Sequence, residues 1–389
     1  MDVEEFRKSN TGRLVKVGEG DSAYWAFVPH PLPPAVDFSL ELVHKLSAAD
    51  RALGELAGLA RMLPNPALLV RPFAHREAVS SSRIEGTEAA IADLYAYAAG
   101  HQSARSARPS VAEADVQEVL NYVRALDYGL ERAETFPISL RLIREVHERL
   151  MQGVRGGQAT PGEFRRTQNW IGPPGSALAN ATYVPPPVPE MHEALDALEK
   201  YLHQEDLCPP LIRLAFIHCQ FESIHPFLDG NGRVGRLLIA FMMVHWKLLP
   251  TPLLYLSSFF ERRREEYYAF LDGVRAQGAW DRWLVFFLDA VIDQSADTIA
   301  RARRLQEVQA AWRERLRDIS ASARLLQLAE SLFETPVLSI AAAQKLMGVS
   351  NRSARLNVEK LTNIGILRPA DQSDYGRTYV AHELLDILE

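Results

Sequence analysis

One short segment carries most of the chemistry this sequence offers: His225-Pro-Phe-Leu-Asp-Gly-Asn-Gly-Arg-Val-Gly-Arg236. The apolar run LLIAFMMVHW that follows it reads as a helix. Gly230, Asn231 and Gly232 therefore fall just before that helix or in its first turn. Free backbone N–H groups and the positive end of the helix dipole meet there. The glycines let the backbone come close to an anion. Arg233 and Arg236 are three residues apart, so both can point to one side of the first turn. Two guanidiniums there suit phosphate oxygens. Asp229 sets a carboxylate beside the same anion, which makes sense if Mg²⁺ bridges the two. His225 can accept a proton near neutral pH. Base, metal ligand, phosphate cradle and charge neutralisers are together the equipment of phosphoryl transfer.

A lone histidine on an apolar helix is more often a satisfied core residue than a catalyst. His147, His218 and His245 are read that way, and Met242 and Met243 as core packing.

The elements around this segment are mostly helical. Residues 1–35 read as irregular, with a proline-rich exit at HPLPPAV. From Leu40 to about Ala99, apolar residues recur at three- and four-residue steps, which predicts helix. A polar break at 100–110 is followed by two more helical patterns, with Asp115 and Ser139 at cap or first-turn positions. Residues 153–189 are rich in Gly and Pro and read as a long loop or hairpin, of the kind that is usually functional or disordered. The run ATYV within it predicts a short strand stopped by prolines. Residues 190–290 return to helix, and 299–319 read as a charged connector helix. There is no internal repeat. The expected division is a helical region at 1–110, a catalytic core at 111–298, the connector at 299–323 and a separate unit at 324–389.

Composition sets the outer bounds. At 389 residues, with 47% hydrophobic and 24% charged residues, the chain is in the globular range and long enough for several domains. No run of about 18 apolar residues predicts a membrane span, and MDVEEFRKSN lacks the apolar stretch of a secretory signal. Two cysteines, Cys208 and Cys219, make no disulfide framework, so a cytoplasmic setting is expected. A net charge of −6 argues against a generally basic nucleic-acid binder, while leaving room for a local basic face.

The segment His225–Arg236 matches the signature HxFx[DE]GNGRxxR at every specified position, so the chain resembles the Fic family. EVLNYVRAL, LRLIREVHERLM, PGEFRRTQNWIG, ATYVPPP and YLSSFF…YYAFL…VRAQGAWDRWLVFFL extend the likeness over most of residues 40–295. The resemblance implies an all-α fold: a Fic helical core with a short β-hairpin flap. It implies AMP transfer from ATP, with Mg²⁺, to a Tyr, Thr or Ser hydroxyl of a target protein, which could be the chain itself. His225 would be the base and Phe227 would anchor the loop. Asp229 would hold the metal. Gly230, Asn231, Gly232, Arg233, Gly235 and Arg236 would bind ATP, with Arg233 on the β-phosphate and Arg236 on the γ-phosphate. Ser81-Ser82-Arg83-Ile84-Glu85-Gly86 matches the family's inhibitory motif [ST]xxxE[GN]. By the same resemblance, Ser81 and Gly86 would fix the helix end, and Glu85 would pair with Arg236 in place of the γ-phosphate. In some relatives this Glu serves removal of AMP, an alternative activity. Thr182, Tyr183, Val184 and Pro185 would form the flap edge that pairs with the target. Arg262-Arg263-Arg264 stand where the family has an Asn, so no adenine contact is assigned.

The end of the chain changes character. SIAAAQKLMGVSNRSARLNVEKLTNIGIL reads helix, turn, helix, and RPADQSDYGRTYV reads as a hairpin. Together they predict a winged helix-turn-helix. From Arg324 to Glu389 there are 7 Lys and Arg against 8 Asp and Glu. The second helix is locally basic, and Arg352 and Arg355 are its candidate DNA contacts. A protein-docking or dimerisation role fits the same residues, so a DNA-binding regulator with a nucleotide-sensing core stands as the alternative function.

Overall fold

The computed structural model describes residues 1–20, 23–62, 66–98, 113–154, 160–173, 175–205, 207–370 and 378–389. The polar break at 100–110 and the tip of the C-terminal hairpin lie outside them.

Two antiparallel helices at the centre place the signature segment. The first elements in the chain are α1 (Val3–Arg7), β1 (Gly12–Val17) and β2 (Tyr24–Pro29), then α2 (Leu40–Met62), α3 (Ala67–Ile84), α4 (Ile91–Ala98), α5 (Glu113–Thr135), α6 (Leu140–Leu150) and α7 (Val188–His203). The central pair, α8 (Pro210–Ile224) and α9 (Asn231–His245), follows. Nearly every side chain of α8 and α9 is buried, as their all-round apolar sequences require. Around them pack α5, α6, α7, α10 (Ser257–Arg262), α11 (Arg264–Gln277) and the long α12 (Trp280–Asp318). The chain ends with α13 (Ala323–Ser331), β3 (Val337–Ser339), α14 (Ile340–Met347), α15 (Asn351–Asn363), β4 (Arg368–Pro369), β5 (Thr378–Val380) and α16 (His382–Leu388). The last three strands form one antiparallel sheet in the order β3-β5-β4. Among the described residues, no helix is long and apolar enough to cross a membrane.

The fold is mostly helical, as the patterning predicts, with differences at the edges. The segment read as irregular contains a strand pair: β1 and β2 pair from Gly12↔Pro29 to Val17↔Tyr24. Each strand is six residues long, an ordinary strand length, and β2 is rich in aromatic and β-branched residues. The expected helix from Leu40 to Ala99 is three helices, since Pro66 and the glycine after Glu85 interrupt it. The expected core–connector boundary falls inside α12, which runs unbroken through it. Its first half is buried against α8 and α2, while later turns pack only through residues such as Ala302, Leu305 and Trp312. Of the three histidines read as core, His147 and His218 are buried and His245 is exposed.

Candidate active site

The signature segment is the connection between α8 and α9. His225 ends α8 in a left-handed conformation, φ 49° and ψ 61°. A non-glycine residue held there is strained, a state that persists only where surroundings enforce it. Those surroundings are identifiable. Arg165 Nε donates to the His225 carbonyl at 3.1 Å and Asn169 Nδ2 to the same oxygen at 3.2 Å. Phe227 is fully buried and stacks on His147 with ring centroids 3.7 Å apart. The His147 ring in turn bonds the Asp229 carbonyl (3.1 Å) and the Gly162 N–H (2.9 Å).

Asn231 is spent on the loop itself. Its Oδ1 accepts from Phe227 N and its Nδ2 donates to Phe227 O, both at 2.8 Å. Its side chain therefore faces inward, and only its backbone remains for an anion. Gly230, at φ 79°, is the N-cap of α9 and supplies no side-chain cap. Among the described residues, the N–H groups of Asn231, Gly232 and Arg233 have no hydrogen-bond partner. This is an open anion site at a helix N-terminus.

The two arginines of this turn take different partners. Arg236 reaches α3: Nε donates to Ser81 Oγ at 2.8 Å, and Nη2 to Ser81 O at 2.9 Å and to Glu85 Oε1 at 2.6 Å. Arg233 lies 3.5 Å from both Glu118 on α5 and Asp229. Both guanidiniums are buried. Burial works to lower the proton affinity of Arg236, and the Glu85 carboxylate overturns that, raising it. Burial likewise favours protonated Glu85, but Arg236 and Arg233 hold its carboxyl below the usual range. Glu85 ends α3, and Gly86 at φ 99° turns the chain away behind it. The carboxylate is pressed onto the open end of α9: a Cβ added at Gly232 would lie 2.3 Å from Glu85 Oε1. A Cβ at Gly235 would lie 2.5 Å from Glu222 Oε1, so Gly235 gives close approach of α9 to α8.

The base candidate is uncharged. Burial, then Arg275 and Arg165, push the His225 imidazole down to about 3. Asp229 is half exposed, and its Oδ1 accepts from Gly230 N at 2.6 Å. Among the described residues, no cluster of three or more metal-binding side chains exists. A divalent ion here would be held by this one carboxylate with ligand phosphates, the usual arrangement for Mg²⁺.

The flap differs from expectation. Tyr183 pairs with Ile171 in a single antiparallel bridge. Tyr183, Val184 and Pro185 are buried and Thr182 is exposed. Phe27 N of β2 donates to Val184 O at 2.9 Å, and Phe6, Phe27 and Tyr183 form one aromatic cluster. The run 182–185 is thus enclosed between Ile171 and β2. The unpaired edge is the other one: among the described residues, the backbone groups of Trp170 and Gly172 have no partner.

Several residues that build the site carry no motif of their own. Arg165, Asn169 and His147 hold the loop, and Glu77 holds α3 by accepting from Tyr122 Oη (2.8 Å) and Ser257 Oγ (2.6 Å). Glu222, beneath Gly235, is pushed up to about 7 by burial. PGEFRRTQNW offered a hint, being a run with several polar residues inside a segment rich in Gly and Pro. Of the three arginines at 262–264, Arg262 pairs with Asp293, Arg263 lies over Phe259 and Arg264 over Tyr268. Arg352 and Arg355 are exposed on α15, remote in the chain from this site.

Residues 43–131 match the Fic/DOC family N-terminal region and residues 137–243 the Fic/DOC family. A protein adenylyltransferase Fic of Drosophila grimshawi is 29% identical over 157 residues, 40% of this chain and 29% of the relative. One of Drosophila erecta is 28% identical over 157 residues, 40% of this chain and 28% of the relative. The chain thus spans under a third of the length of these curated relatives. Among solved structures, a Fic family protein from Desulfovibrio desulfuricans G20 superposes with a TM-score of 0.57 at 20% identity, over 90% of this chain and 98% of that one. Residues 134–508 of Fic-1 from C. elegans give 0.52 at 21% identity, over 67% and 74%. At these identities the structural likeness concerns the fold alone.

Proposed function

The chain belongs to the Fic/DOC family, and from that premise we propose that it is a protein adenylyltransferase restrained by its own Glu85. The observation that carries this reading is the open N-terminus of α9, with His225 beside it and Glu85 pressed onto it. ATP is the substrate this site suits. Its phosphates would lie on the N–H groups of α9, with Arg233 and Arg236 neutralising charge. Asp229 would hold Mg²⁺, which when bound offsets phosphate charge and orients the triphosphate.

In the step proposed, the target hydroxyl attacks the α-phosphorus of ATP. The His225 imidazole, neutral at rest, takes the hydroxyl proton. A P–O bond to the target forms, the α–β bridge breaks, and pyrophosphate leaves. The target chain would be aligned by the free edge at Trp170–Gly172, which starts at the signature loop because Asn169 bonds both His225 O and Phe227 O. Glu85 occupies Arg236 with a charge-assisted hydrogen bond, and so competes with the terminal phosphate. The test is mass spectrometry of protein incubated with ATP and Mg²⁺. An added adenylyl group on a Tyr, Thr or Ser is expected in Glu85→Gly. Its absence from the chain and from every protein of a cell extract would contradict the reading.

A second reading concerns the C-terminal elements. The turn between α14 and α15, the β3-β5-β4 sheet and exposed Arg352 and Arg355 support a winged helix-turn-helix that contacts DNA phosphates. Salt-dependent binding to duplex DNA, lost when both arginines are replaced by alanine, is its test.

A further inference from the structure

Arg165 is among the largest fully buried side chains of the protein, and it is an arginine without a carboxylate. Among the described residues, no Asp or Glu lies within ion-pair distance of it. Its guanidinium instead meets three backbone carbonyls: His225 O at 3.1 Å from Nε, Thr167 O at 3.4 Å from Nη1 and Pro186 O at 2.5 Å from Nη2. Its own N–H donates to Pro226 O at 2.9 Å. A buried, uncompensated cation is unfavourable, and burial does lower its proton affinity, to about 10. No neutral side chain offers the planar fork of donors that serves three carbonyls at once. The fork is held here, at that cost, for what it joins.

The acceptors say what. His225 O and Pro226 O belong to the left-handed turn that presents the imidazole, and Pro186 O to the chain leaving the flap. One side chain thus joins the base and the flap. We propose that Arg165 is a positioning residue for His225: it fixes the strained turn, locks it to the flap and keeps a positive charge beside the base. This rests on His225 being the base.

The geometry has an electrostatic consequence. Charged groups face the imidazole from three elements: Arg275 on α11, Arg165 before the flap and Glu85 at the end of α3. The Glu222 carbonyl on α8 is a backbone acceptor near it. Burial and the two arginines favour neutral imidazole, and Glu85 opposes them. With Glu85 displaced, one opposing charge is gone, and burial and the two arginines favour a neutral imidazole ready for the hydroxyl proton.

Arg165→Lys and Arg165→Gln, each in a Glu85→Gly background, separate geometry from charge. Lysine keeps the charge but not the planar three-way contact. Its initial rate of labelling from α-³²P-ATP should fall on the order of 10–100-fold, with the KM for ATP within about twofold. Glutamine should show the same fall. In addition, the His225 imidazole, followed by NMR titration, should protonate at higher pH than in Arg165→Lys, because a positive neighbour is gone. Full labelling rates in folded Arg165→Lys would overturn the positioning role, and an unmoved His225 titration in Arg165→Gln would overturn the charge role. If Arg165→Gln does not fold, the rate and KM of Arg165→Lys decide. His225→Ala in the same background separates the premise: labelling that survives there shows that His225 is not the base, whatever Arg165 does.

Discussion

Helices α9 and α15 both begin with a pair of arginines three residues apart, and the two starts are built differently. Helix α15 carries Arg352 and Arg355, both exposed, and among the described residues neither has an ion-pair partner. Its N-terminus is closed by Ser350, whose side chain accepts from Ser353 N at 3.3 Å. Helix α9 carries Arg233 and Arg236, both buried. Its N-cap is Gly230, which closes nothing, and a carboxylate from α3 stands over it instead. Burying two guanidiniums is unfavourable unless charge is supplied. Glu85, Glu118 and Asp229 supply it within the protein, and a polyphosphate could do so in their place. An open, preorganised, charged helix end is a site. A capped one with two solvated arginines is a surface whose partner its own residues leave open.

Substitutions can break or sharpen this contrast. The largest effect is expected from His225→Ala, which should lower nucleotidyl transfer roughly 10²–10⁴-fold while leaving ATP binding largely intact, as isothermal titration would show. Next is Glu85→Gly. It frees Arg236 from a charge-assisted hydrogen bond worth about 1.5–3 kcal/mol, so transfer should rise roughly 10–100-fold in a labelling assay; an unchanged rate would remove the restraint from the account. Gly232→Ala should destabilise the chain through the close approach of Glu85, and less so when Glu85 is already glycine. Thermal melts of the four chains should give a coupling on the order of 1 kcal/mol, and additive melts would mean that Glu85 does not rest on α9. The smallest effect belongs to α15. Arg352→Ala with Arg355→Ala should leave stability within about 0.5 kcal/mol and leave transfer unchanged. A loss of transfer there would erase the distinction between the two helix starts.

What the sequence made legible is what local chemistry dictates. The helix that follows Arg236 and the glycines before it are set by neighbours in the chain, so the open start of α9 could be read directly. Glu85 could be placed on Arg236 only through family resemblance, since the pair spans 151 positions. The role of the Asn231 side chain was not legible: an amide in a glycine-rich turn suits an anion or the backbone equally, and here it holds Phe227 while the Asn231 N–H stays open. Thr182–Pro185 reads as a free edge in the sequence, and its cover by β2 was not legible because Phe27 lies far from Val184 in the chain. Arg165 went unnoticed because its partners are backbone carbonyls, which leave no trace in side-chain types. The same holds for the division of the chain: α12 stays one helix from core to C-terminal elements although its charge pattern changes along the way.

The most direct test of the central claim is labelling with α-³²P-ATP and Mg²⁺, comparing the unmodified chain, Glu85→Gly, and Glu85→Gly with His225→Ala. Strong label on protein in Glu85→Gly, weak label in the unmodified chain and none in the double variant are the predicted results. Equal label in all three, or none in any, would contradict a His225-dependent transferase restrained by Glu85.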